Sequence, residues 1–184
     1  MQAIIISGSR NPEGRTARAA KALGAGLEGA GAGCEMVFLP ELKIERCRQC
    51  DENGWGICRS EGECVIEDDF ADVVEKIRGA DAAVFATPVY FSDLSESLKA
   101  FLDRLRRITR HENGIRGITE KPALGISVAG GGGGGAPHCA FQMERTLATC
   151  GFDCLDMIPA RRQNLDHKCA VLEITGEWLA EEAG

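Results

Sequence analysis

Four of the nine cysteines lie within one short stretch of sequence, spaced Cys47-x2-Cys50-x7-Cys58-x5-Cys64. Four thiolates on an irregular loop are the ligand set of an iron–sulfur cluster, because iron in such clusters takes soft anionic ligands. Structural zinc also takes four cysteines, but usually as two Cys-x-x-Cys pairs, and only one pair is present. Free thiols are the third interpretation. We predict the four cysteines as metal ligands, with a 4Fe–4S cluster favoured over free thiols and zinc.

The loop from Ser7 to Thr16 has the composition of an anion-binding loop. Its hydroxyl groups and glycines would let backbone N–H groups approach an anion at the start of the next helix. Arg10 and Arg15 add positive charge to an otherwise acidic chain. The loop matches neither the dinucleotide glycine fingerprint nor the Walker motif, since no lysine follows its second glycine. We predict that it binds a terminal phosphate; an ordinary capped turn is the alternative.

Two further loops suit a flat ligand. Residues 87–93 contain the only tyrosine, Tyr90, beside Phe91, directly after an apolar run. Paired aromatic rings there suit a planar ring system, although they could equally cover an edge of the core. Six consecutive glycines, Gly130–Gly135, would let main chain lie against a ligand, or would form a slack surface lid. Taken together, the three loops predict a planar cofactor that carries a phosphate.

The other chemistry-bearing residues are scattered. The three histidines form no set with a cysteine and an acid that would indicate a thiol hydrolase. We predict no catalytic side chain, because a bound cofactor would carry the chemistry. Five cysteines are expected to act as small apolar residues on strand or helix faces, namely Cys34, Cys139, Cys150, Cys154 and Cys169.

The scaffold for these loops is indicated by short apolar runs that alternate with amphipathic stretches. Uniformly apolar runs are typical of parallel strands buried on both faces. Five strands and about five helices predict an α/β fold, a doubly wound three-layer αβα sandwich with sheet order 2-1-3-4-5. The predicted strands are Ala3–Ile6, Met36–Leu39, Ala82–Ala86, Ala123–Ala129 and Phe152–Ile158.

Polar residues before the apolar stripes predict where helices begin. Asp68 or Asp69 is expected to cap one helix, and Asp93 with Glu96 to form a capping box for the next. The final helix is predicted over Val171 to Leu179 from its apolar spacing.

Length and composition exclude several classes of protein. The 184 residues, 44% hydrophobic and 27% charged, predict a single domain over 1–184 with a cysteine-rich excursion at about 41–67. A net charge of −7 argues against a nucleic-acid partner. No apolar run approaches the roughly 20 residues of a membrane helix, so no membrane partner is expected. The amino terminus lacks a signal-peptide pattern, and we expect a cytoplasmic protein with reduced thiols.

Three motifs carry a family resemblance over roughly residues 1–160. Gly8-Ser9 with Gly14-Arg15-Thr16, the run from Thr87 to Phe91, and the run from Leu98 to Arg104 resemble NAD(P)H-dependent FMN reductases of the flavodoxin superfamily. The Cys-x-x-Cys pair followed by Gly62–Asp69 is similar to the iron–sulfur flavoprotein branch of that family.

The resemblance implies a flavodoxin-like fold and bound FMN. Its phosphate would lie at Ser9, Arg10, Gly14, Arg15 and Thr16. Its isoalloxazine would contact Pro88, Val89, Tyr90 and Phe91 on one side and Ala129 and Gly130 on the other. The resemblance also implies a homodimer or a homotetramer.

Two departures from the family pattern are visible. Many members have Asn where this chain has Arg15, before the loop threonine. The compact family pattern has a third cysteine where this chain has Asn53, and here that cysteine arrives at Cys58. The insertion over 51–56 therefore affects the expected cluster type and ligand set.

The sequence prediction is an FMN-dependent oxidoreductase that transfers electrons through the flavin. NAD(P)H or a protein would be the electron donor, and a small molecule or a protein the acceptor. Two alternatives stay open: a flavodoxin-like electron carrier without NAD(P)H turnover, and a zinc-stabilised binding module.

Overall fold

The sheet of this protein is parallel throughout and has five strands in the order β2-β1-β3-β4-β5. A computed structural model describes all 184 residues. The order agrees with the predicted one, and the central strands β1, β3 and β4 are buried along nearly their whole length. The strands are β1 (Gln2–Ser7), β2 (Gly33–Phe38), β3 (Ala82–Pro88), β4 (Pro122–Ala129) and β5 (Asp153–Arg161).

Seven helices surround the sheet. One face carries the side chains of α1 and α7, and the other carries those of α3, α4 and α6, which gives the predicted three layers. No helix is long and apolar enough to span a membrane. The helices are α1 (Arg15–Gly29), α2 (Ile57–Ser60), α3 (Phe70–Gly79), α4 (Glu96–Ile108), α5 (Glu112–Ile115), α6 (Ala136–Cys150) and α7 (Leu165–Glu182).

Several predicted boundaries were wrong. Ser95, and not Asp93, caps α4, because its Oγ accepts a hydrogen bond from the N–H of Leu98 at 3.4 Å. Asp93 instead belongs to the tight turn before the helix. The last helix begins at Leu165, six residues before the predicted Val171, because its first turn is largely polar and lacks an apolar stripe.

The segment over residues 41–67, here called the cysteine segment, connects β2 to α3. Apart from the one-turn helix α2 it contains no regular structure beyond its first residue, as its lack of periodicity predicted. Its side chains pack beside α4 on the outer surface of one helical layer. The sheet therefore positions the three loops predicted to bind a cofactor, while a separate excursion holds the four clustered cysteines.

Candidate cofactor site

The three predicted ligand loops meet at one edge of the sheet. They follow β1, β3 and β4, which are consecutive strands, and the carboxyl ends of parallel strands share one edge. Hydrogen bonds extend the strand pairing into the loops: Gly8 N–H donates to Ala86 O at 2.8 Å, and Val89 N–H to Val128 O at 3.0 Å. Sheet order thus brings the three loops that carry the predicted residues to one edge.

The first loop is fixed against the start of α4. Ser97 Oγ donates to Gly8 O at 3.1 Å. A Cβ at Gly8 would collide with Ser95 Oγ and would lie 2.9 Å from Leu98 Cβ, so only glycine allows this approach. The loop after β1 is therefore held by the helix that follows β3.

The amino terminus of α1 is open to an anion. Gly14 occupies the N-cap position, no side chain caps the helix, and its first turn contains no acidic residue. The backbone N–H groups of Arg15, Thr16 and Ala17 have no hydrogen-bond partner in the protein. Unpaired N–H groups and the positive end of the helix dipole together favour a negatively charged group such as phosphate.

Side chains around this helix terminus differ in where they lie. Ser9 and Thr16 are buried at 7% and 4% exposure, and Thr16 belongs to the first turn of α1. Ser9 Oγ donates to Asn11 O at 3.2 Å within the loop. Arg10 is exposed and pairs with Glu96 at 2.5 Å, whereas Arg15 is exposed and makes no ion pair. At this helix terminus the backbone and hydroxyl groups are therefore buried or uncapped, whereas both guanidinium groups lie in solvent.

The aromatic loop contains a strained two-residue turn. Tyr90 and Asp93 exchange both backbone hydrogen bonds, at 2.9 and 3.0 Å, and the turn residues Phe91 and Ser92 have φ values of 49° and 68°. Positive φ at both positions is the type I′ geometry, which glycine and asparagine favour and phenylalanine does not. Phe91 is fully exposed and Tyr90 is 47% exposed, so both rings are available to a ligand at this edge.

The glycine run is shaped by its neighbours and is not slack along its whole length. Gly135 has a φ of 82°, and a Cβ there would lie 2.9 Å from Ser92 Cα in the aromatic turn. Gly133 has a φ of 79° and lies against the Arg161 side chain. Ala129 is buried and Gly130 is half-buried at the start of the run. The second and third loops therefore touch, at Ser92 and Gly135.

The four clustered cysteines line one small cavity of about 20 Å³ beside α4. However, no group of three or more Cys, His, Asp or Glu side chains is arranged to hold a metal ion. The predicted ligand set, Cys47, Cys50, Cys58 and Cys64, therefore does not fit a 4Fe–4S cluster as it is arranged, and the prediction of a cluster is not supported. The insertion over 51–56 makes contacts of its own, with Trp55 beside Arg107 at 4.7 Å.

The same cavity is lined by a buried arginine that the sequence reasoning missed. Arg104 pairs with Asp68, and the two side chains are 1% and 0% exposed. Burial alone would raise the pKa of Asp68, but hydrogen bonds from Arg104 and from the Glu45 and Phe70 N–H groups hold that pKa below its ordinary value. The available signal was a basic residue at a position of α4 that continues its apolar face.

The remaining cysteines act as predicted, as apolar or partly buried side chains. Cys139 and Cys150 are fully buried on the inner face of α6. Burial raises the pKa of each of these two thiols to about 12. Cys34 and Cys154 are half-buried, and burial raises their pKa values to about 11.

Comparison with known proteins shows the family of the chain. Residues 1–166 match the family described as NADPH-dependent FMN reductase. The chain belongs to this family. An iron–sulfur flavoprotein of Methanocaldococcus jannaschii is 33% identical over 106 residues, which are 58% of this chain and 52% of that protein. One from Archaeoglobus fulgidus is 28% identical over 143 residues, 78% of this chain and 66% of that protein.

Solved structures share the fold of this FMN reductase family member. An NAD(P)H:quinone oxidoreductase from Methanothermobacter marburgensis has a TM-score of 0.71 at 21% identity, over 97% of this chain and 96% of that one. RosB, solved with a bound flavin intermediate, has a TM-score of 0.73 at 20% identity, over 99% and 79% of the two chains. These likenesses confirm the flavodoxin-like fold. The chain spans about half the length of the first curated relatives it matches.

Proposed function

We propose that this chain is an FMN-dependent oxidoreductase, with FMN bound across the three loops at the carboxyl edge of the sheet. One observation carries the proposal: the first turn of α1 presents unpaired N–H groups with no capping side chain and no acidic residue. Such a terminus suits the single phosphate of FMN. When bound, the flavin supplies the redox chemistry, and the protein positions it and excludes water.

Each predicted residue has a role in this proposal. Ser9, Gly14 and Thr16 would bind the phosphate: Gly14 and Thr16 lie at the uncapped helix terminus, and Ser9 is a buried hydroxyl of the same loop. Arg10 and Arg15 would add positive charge from the solvent side. The loop residues Pro88, Val89, Tyr90 and Phe91 would flank the ring on one side, and Ala129 and Gly130 on the other.

The electron donor proposed is NAD(P)H, as the family description suggests. The acceptor would be a small molecule or a protein, and the active form a homodimer or homotetramer in the cytoplasm. Oxidation of NADPH or NADH by the FMN-loaded protein, with ferricyanide as acceptor, tests the donor. No turnover with either nucleotide would favour the alternative of an electron carrier.

The site itself is tested by substitutions in the first loop. Ser9→Ala with Thr16→Ala is expected to weaken FMN binding by more than about 1 kcal/mol for each hydrogen bond lost to the charged phosphate. Thr149→Ala is the matched control, since Thr149 is an exposed threonine on α6 whose hydroxyl donates to Arg145 O. Unchanged FMN affinity in the double variant, measured by flavin fluorescence, would contradict the assignment.

The cluster implied by the relatives' names is not assigned to this chain, because its four thiols are not arranged around a common metal position. No electron step is therefore placed in the cysteine segment. Protein purified without oxygen is expected to show the colour of flavin alone. Iron and sulfide in near-equal amounts would overturn this part of the proposal.

A further inference from the structure

The two ends of the cysteine segment are tied to each other by backbone and carboxylate groups. Asp69 N–H donates to Lys43 O at 3.1 Å, and Lys43 N–H donates to Asp69 Oδ2 at 2.6 Å. Glu45 N–H donates to Asp68 Oδ2 at 2.7 Å. These bonds bring the entry of the segment, at 43–45, against its exit, at 68–69.

Arg104 of α4 contacts both sides of the neck, as we call the junction of residues 43–45 with 68–69. Its guanidinium donates twice to Asp68, at 2.7 and 2.9 Å, and also to Glu45 O at 3.1 Å. It lies over the Phe70 ring, 4.1 Å from the ring centroid, and donates a longer bond to Ile66 O at 3.4 Å. Only its Nε lacks a partner. A bidentate, buried guanidinium–carboxylate pair holds its geometry tightly.

The tip of the segment, Gly54 and Trp55, is held by Arg107, which lies one helical turn beyond Arg104 in α4. Arg107 donates to Gly54 O at 2.6 Å and lies 4.7 Å from the Trp55 ring centroid. Arg59 lies on the same ring at 5.6 Å. Since residues three apart in a helix share a face, Arg104 and Arg107 hold the neck and the tip from one side of α4.

We propose that this pair of arginines, with Asp68, folds the cysteine segment independently of any metal. The segment would then present Cys47, Cys50, Cys58 and Cys64 as free thiols around one cavity in the metal-free protein. The contacts that join the two ends are made by backbone, carboxylate and guanidinium groups, and Cys64 is a further neighbour of the Arg104 guanidinium. The segment therefore belongs to the folded domain, and it adopts its conformation without a metal cluster.

Hydrogen–deuterium exchange on the full chain, reduced and treated with EDTA, tests this proposal. In the wild type, the amides of Lys43, Glu45 and Asp69 should stay protected after chelation. In Arg104→Gln they should exchange about a hundredfold faster, because an unpaired Asp68 would be left buried. Arg106→Gln is the matched control: Arg106 pairs with Asp103 at 3.0 Å on the more exposed side of the same helix.

Two results would overturn the proposal. The first is loss of protection on chelation of the wild type, which would assign the fold of the segment to a metal. The second is unchanged protection in Arg104→Gln. If that variant fails to fold, Arg107→Gln tests the same claim at the tip: peptides over 51–58 should exchange about tenfold faster than in the wild type, and equal rates would refute the proposal. Neither result depends on FMN binding.

Discussion

The edge of the sheet and the cysteine segment were both predicted to bind a cofactor, and the two regions differ in how their candidate ligand groups are arranged. At the edge, the first turn of α1 has unpaired backbone N–H groups and no capping side chain. In the segment, the four thiols share a cavity but are not arranged around a metal. The first region keeps donors free for an anion, whereas the second does not present its thiols as a metal site.

The difference lies in what determines each geometry. Parallel strands bring their carboxyl ends together whatever the loop sequence, so loops after adjacent strands must meet. The segment has no such frame, and its shape follows from a few long side chains on α4. The spacing of cysteines in a sequence shows which metal ligands are available. It does not determine the positions of their thiols in an irregular segment.

Thiol chemistry should give the largest contrast. At pH 8 a thiol whose pKa is raised to about 12 is ionised in only about one molecule in ten thousand. Cys139 and Cys150, which are also buried, should therefore react with iodoacetamide at least about a thousandfold more slowly than the exposed Cys50. Site-resolved mass spectrometry measures these rates. Comparable labelling of Cys139 and Cys50 would contradict the predicted difference between buried thiols and the thiols of the cysteine segment.

A negative charge at the amino terminus of α1 should weaken FMN binding at the sheet edge and leave the cysteine segment unchanged. Thr16→Asp places a carboxylate among the open N–H groups of α1, where it would compete with and repel a phosphate. FMN should bind about a hundredfold more weakly, while exchange in residues 43–69 stays unchanged. Thr149→Asp on the exposed face of α6 is the control. Tight FMN binding by Thr16→Asp would place the phosphate elsewhere.

The contact between the second and third loops should be sensitive to a single methyl group. Gly135→Ala must adopt a φ of 82° and would press on Ser92, so FMN affinity should fall about tenfold. Gly134→Ala is the control, because a Cβ there meets nothing within 4 Å. Equal affinities of the two variants would mean that the glycine run does not shape the site.

Acid should weaken the contacts that Asp68 makes in the cysteine segment. Because the pKa of Asp68 is lowered in the folded protein, its stabilising contribution is complete above the ordinary value of 3.8. It is lost as the pH falls through the lower folded value. In a Trp178→Phe background, Trp55 fluorescence should change a few-fold less on acidification in Asp68→Asn than in its parent. An identical acid transition in both proteins would contradict the role of Asp68.

The fold could be predicted because it depends on patterns that one sequence displays. The apolar run from Ala3 to Ile6 and its counterparts indicated the strands, and the doubly wound fold class that they fit supplied the order. The capping residue of α4 was missed because Asp93 and Ser95 are both good caps, and only the Tyr90–Asp93 turn decides between them. Arg104 was missed because its partner, Asp68, lies 36 positions away in the sequence.

The most direct test of the central claim compares FMN with riboflavin, which has the same ring and lacks the phosphate. If the open first turn of α1 binds the phosphate, the metal-free apoprotein should bind FMN at least about a hundredfold more tightly than riboflavin, or about 2–3 kcal/mol. The preference should disappear in Thr16→Asp. Equal affinity for the two flavins in the wild type would contradict the account.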